Sequence, residues 1–503
     1  MTWMPARWAP CHTSSGQRNA DGETKVGPKT PVHGIEVVKG AREHDFVYQS
    51  VYRYLTTLID DAGGHAAVRM PSLRQLADRL NVSISTVQYA YALLEKEGRV
   101  YSIAKSGYYA QALFSLDAPG DGGDLLETVY VSARRPGMCV LSADEPASLQ
   151  PLDSPLMTLE RELLRQYPRQ PQTLVQPCGE LELRVALAAR YTCSTANYWH
   201  ADDVYIGADL RGVLEILISV LELREAVVVV ESPCDWVILR LLESCDVRVI
   251  EWPSLAEGEV DLSALEMLLR NEPVRLVVLS SVLSLPQGCG FTREHQQAIA
   301  KMLERYGIWV LENDCYSELD ERADSQRLRN WLDPDRLLVF SSFEKFIGAE
   351  APFGFVLSRH WRNELQRHFL FRAFRLSPIR QKAIARLLSG GRLDQHLFVL
   401  RRMLGERRSS LIQVLRERLG DALQIVEPQG GATVWVRSVR PVDMANVFRR
   451  LLKQQIIVAP GELFSLRGLH ADHLRLSALN HGERDLSGVI GLLGDALRLS
   501  GAR

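Results

Sequence analysis

A chain of 503 residues, with 46% hydrophobic and 24% charged residues, is long enough for two or more domains with cores of their own. A net charge of −2 excludes a globally polybasic protein, so any nucleic-acid or membrane surface must be local. Eight scattered cysteines (11, 139, 178, 193, 234, 245, 289 and 315) form no CxxC pair and no His/Cys cluster at metal spacing. They read as thiols of a reducing cytosol, and neither a membrane span nor a signal-peptide core is found.

Residues 1–44, rich in Gly, Pro, Ser and Thr, read as a flexible leader. From Asp45, apolar residues Phe46, Val47, Val51, Tyr54, Leu55, Leu58 and Ile59 recur at helical spacing until Gly63-Gly64. Pro71-Ser72 then opens a short helix with Leu73, Leu76, Ala77 and Leu80 on its apolar face. A turn at Asn81-Val82-Ser83 leads to a second helix, Ile84 to about Glu97, with Val87, Tyr91 and Leu94 inward and Gly98 as its stop. Residues 99–103 and 107–110 predict a β-hairpin around Lys105-Ser106.

Helix, short helix, turn, helix and hairpin make a winged helix-turn-helix. Its second paired helix would enter a major groove. Ser83 is its cap, and Ser85, Thr86 and Gln88 face outward to bond base edges or phosphates. Arg74 and Lys105 are placed to neutralise phosphates, and Gly107 lets the wing approach the backbone closely. The string Met70-Pro71-Ser72-Leu73-Arg74-x-Leu76-Ala77, with Val82-Ser83-x-x-Thr86-Val87 and Ser106-Gly107-Tyr108-Tyr109, resembles the GntR family of bacterial regulators over about 45–111. The resemblance implies double-stranded DNA as partner. Where that family has a DNA-contacting arginine at the start of the second helix this chain has Ile84, and Gln88 stands at a second position that is often basic.

Residues 112–123 read as a short linker. From Asp124, apolar strand-like runs at 204–206, 227–230, 247–250, 276–279, 309–311, 337–340 and 353–356 alternate with helical patterns such as 209–222, 262–270 and 292–306. The fold class is therefore α/β: a mostly parallel sheet covered on both faces, with ligands expected at the carboxyl ends of the strands. An arginine-rich helical region runs from Pro378 to about Leu419, and 422–503 reads as a smaller α+β subdomain. One window stands out. Residues 337–357 are two apolar strands around a polar elbow, with Lys345 behind Ser341 and Ser342. Taken alone, the window is most simply a surface loop with an ordinary lysine. A partly desolvated amine between buried strands is also the means of holding a carbonyl cofactor.

The order of strand-end motifs resembles the fold-type I aminotransferases, which use pyridoxal phosphate. The motifs include Glu231-Ser232-Pro233, Pro286-Gln287-Gly288, Glu312-x-Asp314-x-Tyr316, Gly430-Gly431 and Leu474-Arg475-Leu476. Joined to a GntR head, this is the mark of the MocR subfamily. The resemblance implies roles by position. Lys345 is the Schiff-base lysine, Ala208 and Asp209 the phosphate-binding turn, and Ser342 a phosphate-binding hydroxyl. Tyr316 is the phenol at the ring oxygen, Trp236 (or Asp235) stands at the ring-stacking position, and Arg475 grips a carboxylate. Four positions depart from the pattern. Leu285 replaces the asparagine at the ring oxygen. Asn313 replaces the aspartate that pairs the pyridine nitrogen, with Asp314 one place late. Glu344 stands near the phosphate, and Pro352 replaces the phosphate-clamping arginine.

The expected protein is a cytoplasmic, homodimeric DNA-binding regulator, associated with the nucleoid when DNA-bound. Its aminotransferase-like domain would sense pyridoxal phosphate, an amino adduct of it, another carboxylated molecule, or nothing. The alternatives are an aminotransferase with an appended DNA-binding domain and a purely structural dimerisation core. The altered positions argue against transaminase catalysis.

Overall fold

The computed structural model describes residues 47–61, 68–103, 106–110, 124–135, 137–166, 176–195, 197–253, 260–322, 326–372, 374–479 and 485–501. The leader, the linker, Gly63-Gly64 and Lys105 lie outside the described residues. The chain divides into two compact units, Met1–Leu113 and Phe114–Arg503.

In the first unit, α1 (Val47–Asp61), α2 (Leu73–Leu80) and α3 (Ile84–Lys96) precede a hairpin of β1 (Val100–Ile103) and β2 (Gly107–Ala110). Ser72 starts α2 with a reciprocal capping box to Gln75. Asn81 ends α2 in the left-handed conformation, and Ser83 caps α3 by accepting from the Thr86 N–H. Leu55, Val87, Ala90, Tyr91 and Leu94 are fully buried and form one small core. Val47, second in the apolar pattern, is exposed as the first residue of its helix. The Tyr91 ring stacks on Tyr108 of the wing at 4.4 Å, and its hydroxyl donates to the Pro71 carbonyl, so α3 and the hairpin hold one orientation.

The second unit opens with the helix Leu125–Ala133 and the short strand β3 (Cys139–Val140). Its main sheet comprises β4 (Val204–Ile206), β5 (Val227–Ser232), β6 (Arg248–Pro253), β7 (Val274–Ser280), β8 (Trp309–Asn313), β9 (Leu337–Ser342) and β10 (Gly354–Ser358), in the order β4-β10-β9-β8-β7-β5-β6. Neighbours pair in parallel except β10, which is antiparallel to both β9 and β4. Val227–Val230 and Leu337–Phe340 are buried on both faces because helices such as Leu210–Val220 and Arg293–Tyr306 cover the sheet. Each such side chain contributes about 1.5–3 kcal/mol of burial.

The smaller subdomain is an antiparallel sheet in the order β11 (Leu423–Val426), β12 (Thr433–Ser438), β15 (His473–Ser477), β14 (Ala459–Pro460), with the helices Met444–Lys453 and Leu486–Ser500. A further strand, β13 (Ile456–Ile457), pairs in parallel with β3. The arginine-rich region is two helices, Pro378–Ser389 and Arg392–Leu419, divided at Gly390-Gly391. The second helix buries Leu393, Leu397, Leu400 and Leu404 in the main core and Leu411, Ile412 and Leu415 in the smaller one. The seam between the cores is also fastened at Glu251. It accepts from Ser465 Oγ at 3.1 Å, Leu466 N at 2.8 Å and Arg467 N at 3.0 Å across the seam, and from Ser232 Oγ at 2.7 Å within its own sheet. Among the described residues no helix is long and apolar enough to cross a membrane, and no group of acidic, His and Cys side chains is arranged to hold a metal.

Candidate functional site

Most of the head's sequence-predicted contacts lie at or near its surface among the described residues. Ser83, Ser85 and Gln88 are exposed and Thr86 half-buried near the start of α3, and Arg74 is exposed on α2. Ser83 Oγ lies 2.8 Å from Ser85 Oγ and 2.7 Å from Thr86 Oγ1, so three hydroxyls form one cluster at the helix N-terminus. Ile84 is 47% exposed beside them, which is unusual for an isoleucine and leaves an apolar contact at the tip. Gly107 has φ +117°, a conformation that favours glycine, where the wing leaves its turn. Arg69, not singled out from the sequence, donates to the Ser106 carbonyl at 2.8 Å and ties the wing to the segment before α2.

In the second unit, Lys345 lies in the elbow between β9 and β10. Phe343, Phe346 and Ile347 bury the elbow, and the Ile347 carbonyl accepts from Leu152 N at 3.0 Å. Lys345 Nζ donates to the carbonyl of Asp144 at 2.6 Å and lies 3.2 Å from its carboxylate. Tyr316 donates its hydroxyl to the same carboxylate oxygen at 2.5 Å. Arg475, fully buried on β15, has Nη1 4.0 Å from that oxygen and gives Nη2 to the Ser142 carbonyl at 2.6 Å. Three residues expected from the sequence, Lys345, Tyr316 and Arg475, therefore converge on Asp144, which sequence reasoning missed.

Charge sets the protonation states. Burial works against the Lys345 ammonium, but Asp144, Asp235 and Glu344 outweigh it and raise its pKa above the usual value. Burial and the same two aspartates push the Tyr316 phenol well up, so it stays a donor. Asp235 caps the helix Trp236–Ser244 by accepting from Val237 N at 2.8 Å. Burial first, then Asp144, raise its pKa, while Lys345 and Arg475 act the other way. The Nε and Nη1 groups of Arg475 and the Oδ1 of Asp144 are buried and have no hydrogen-bond partner among the described residues. Each such orphan costs about 1–3 kcal/mol.

Other expected positions are placed differently. The Trp236 ring is stacked on Phe464 at 5.1 Å and carries the Arg475 guanidinium 4.3 Å from its centroid. It is therefore part of the small subdomain's core, and it is Asp235 whose charge meets Lys345. Asn313 Oδ1 accepts from Cys315 N at 3.2 Å and serves its own turn. Asp314 is buried in a separate cluster with Arg329, Arg327 and Tyr191. Leu285 is buried in the main core.

The remaining expected residues meet at the sheet edge. Ser342 pairs with Gly354 in the β9–β10 ladder, and a Cβ on Gly354 would stand 2.6 Å from the Asp209 carbonyl. That close approach sets the Gly207-Ala208-Asp209 turn against the strand. The Asp209 carboxylate accepts from Gly212 N at 2.7 Å, so it occupies the helix N-terminus that would receive a phosphate. Ser342 Oγ accepts from Glu344 N at 3.2 Å. The Phe374 ring lies 3.6 Å from where a Cβ on Gly207 or Gly212 would stand.

These residues do not fit pyridoxal phosphate. The helix terminus holds a carboxylate, and no basic side chain pairs with it among the described residues. Of the two candidates for the ring-stacking position, Trp236 is packed on Phe464 and Asp235 is an acid, and the lysine is held as an ammonium by three acids.

A mostly parallel sheet with functional residues gathered at its strand ends, following a winged helix-turn-helix along the chain, defines an aminotransferase-type domain with a regulator's head. Residues 155–490 match the model of aminotransferase class I and II, more than half of the chain, and the chain belongs to that family. Residues 47–109 match the model of bacterial regulatory proteins of the gntR family. The chain is 27% identical over 444 residues to the HTH-type transcriptional regulator YjiR of Escherichia coli, covering 85% of this chain and 94% of that one. It is 28% identical over 457 residues to YdcR of the same organism, described in the same terms, covering 88% and 97%. Among solved structures it resembles LysN, the α-aminoadipate aminotransferase of Thermus thermophilus, with a TM-score of 0.66 and 20% identity over 75% of this chain and 95% of that one. That last likeness concerns the fold.

Proposed function

We propose that this chain is a cytoplasmic transcription regulator. It binds double-stranded operator DNA as a homodimer, and its aminotransferase-like domain is a receptor for a small carboxylated molecule. The observation that carries the reading is the hydroxyl-rich start of α3, exposed beside Arg74 and a glycine-bearing wing, on a chain whose other unit is an aminotransferase fold. Hydroxyls and an amide at the front of a helix are suited to base edges and phosphates, and Arg74 adds charge that the net composition lacks. The matches to YjiR and YdcR over most of their lengths support the regulator reading.

The receptor role rests on Arg475. A fully buried guanidinium with two open N–H groups is suited to a carboxylate, and its neighbours lack the means to hold a phosphorylated ring. The test is a mobility shift of the full chain on the DNA upstream of its own coding sequence, at several salt concentrations. A salt-sensitive, sequence-preferring complex is expected. Absence of one, or indifference to sequence, removes the regulator reading. Restoring the alternative, a working aminotransferase with an added head, would take turnover of an amino donor with a keto acid.

A further inference from the structure

We propose that the receptor site is self-liganded: the carboxylate of Asp144 stands in, from within the chain, for the ligand's carboxylate, and a small dicarboxylate binds by expelling it. The inference rests on the receptor reading above and adds how the site is kept closed.

Asp144 offers one oxygen to Tyr316 and Lys345 but stops 4.0 Å short of Arg475. The contact is incomplete on both sides. Arg475 keeps Nε and Nη1 open, and Asp144 keeps Oδ1 open, all buried. A tethered carboxylate that fits worse than a free one is displaceable. A guest carboxylate placed on Nε and Nη1 of Arg475 makes the paired bond that Asp144 does not reach. It would also sit within a few ångströms of Asp144, and two like charges that close repel in a poorly solvated site. Once Asp144 leaves, Lys345 and Tyr316 are free for a second carboxylate, which makes a dicarboxylate the matching class. Asp235 and Glu344 remain to oppose excess charge, so a larger polyanion is disfavoured.

Expulsion has somewhere to go. The segment that carries Asp144 is hung on both subdomains. Cys139 N donates to Gln455 O at 2.8 Å, Leu141 N to Ile457 O at 2.7 Å, and Leu152 N to Ile347 O at 3.0 Å beside Lys345. Along the chain it follows the helix Leu125–Ala133, the first described element after the linker region. Moving Asp144 therefore alters the first stretch of the domain that the chain reaches on leaving the head.

The test is calorimetric titration of the full chain with glutarate, with glutaramide as the uncharged control. Asp144→Asn removes the competitor and is expected to tighten glutarate binding at least tenfold, and Arg475→Gln in that background to abolish it. Glutarate is also expected to raise the melting temperature of Asp144→Asn more than that of the unaltered protein. Equal affinity in the two folded proteins, no binding to either, or equal binding of glutaramide overturns the proposal. If Asp144→Asn does not fold, hydrogen exchange of the unaltered protein decides. Glutarate should speed exchange over 139–152, and unchanged exchange at saturation refutes displacement. DNA binding is scored separately, so loss of the operator complex counts against the regulator reading and leaves the competition result standing.

Discussion

The carboxylate of Asp314 is gripped by the guanidinium of Arg329, with Nη1 and Nη2 at 2.9 and 3.2 Å, both side chains buried beneath the end of β8. Arg329 also meets Glu312 at 2.6 Å, and Tyr191 donates to Asp314 at 2.6 Å. Where the resemblance implies an aspartate this chain has Asn313, and the acid one place later is spent on this cluster. Burial alone would raise the Asp314 pKa, but Arg329 and Arg327 outweigh it and hold it well below the usual carboxylate range.

Removing that arginine strands two buried acids. Arg329→Met is expected to cost about 3–5 kcal/mol in urea unfolding at neutral pH. The sign with pH follows from the depressed pKa. The stabilisation is present above the ordinary aspartate value of about 4 and is lost as pH falls through the lower folded value. The variant should therefore lose most near neutrality and converge on the unaltered protein in acid. A constant difference at all pH values would refute the ion-pair account.

Lys345 gives the second prediction. Its raised pKa keeps it an ammonium at neutral pH, and an ammonium is not a nucleophile for an aldehyde. Purified protein incubated with pyridoxal phosphate, reduced with borohydride and mapped by mass is expected to carry no pyridoxyl group on Lys345. A stoichiometric adduct on that peptide would show that the site accepts pyridoxal phosphate after all.

On the DNA side, Arg74→Ala should weaken binding evenly across sequences and reduce the log–log salt slope by about one. Gln88→Ala should instead cost about 1 kcal/mol on the preferred sequence and little on others, the outcome proposed for an amide that reads base edges. Anisotropy titrations at several salt concentrations separate the two. Ser83→Ala, which removes the α3 cap, is expected to cost the head about 1 kcal/mol of stability.

A buried acid outside the candidate site supplies a pH signature. Burial pushes Glu231 up to about 7 despite hydrogen bonds from the Ser280 hydroxyl and N–H. A carboxyl whose folded pKa is raised binds its proton more tightly when folded. Its contribution is full below the unfolded value of about 4.3 and falls as pH rises through the folded one. Glu231→Gln is expected to flatten unfolding free energy between those values and to gain up to about 3–4 kcal/mol at pH 8. No gain at pH 8 would mean the carboxyl ionises freely in place.

Much of this architecture was legible in the sequence because it is periodic. The runs at 227–230 and 337–340 became β5 and β9, and Ser72 and Ser83 stood where caps were expected. The candidate site was half legible. Lys345, Tyr316 and Arg475 were found by position, yet Asp144 lies 201 residues before the lysine it binds, in a loop without periodicity. Which of Asp235 and Trp236 meets Lys345 depends on where one helix begins, and residue types alone do not fix that within a residue. The partner of Asp314, Arg329, comes from a short turn that no pattern marks.

The seam at Glu251 and the helix Arg392–Leu419 bear on how the molecule could move. Catalysts that trap a substrate by swinging two lobes together need a slippery boundary. Here three hydrogen bonds converge on one carboxylate across the boundary, and a continuous helix is sunk into both sides of it. A clamshell stroke would tear both. What remains free to travel is a thin strip of chain laid over a stiff chassis, which favours relaying a message over enclosing a reaction.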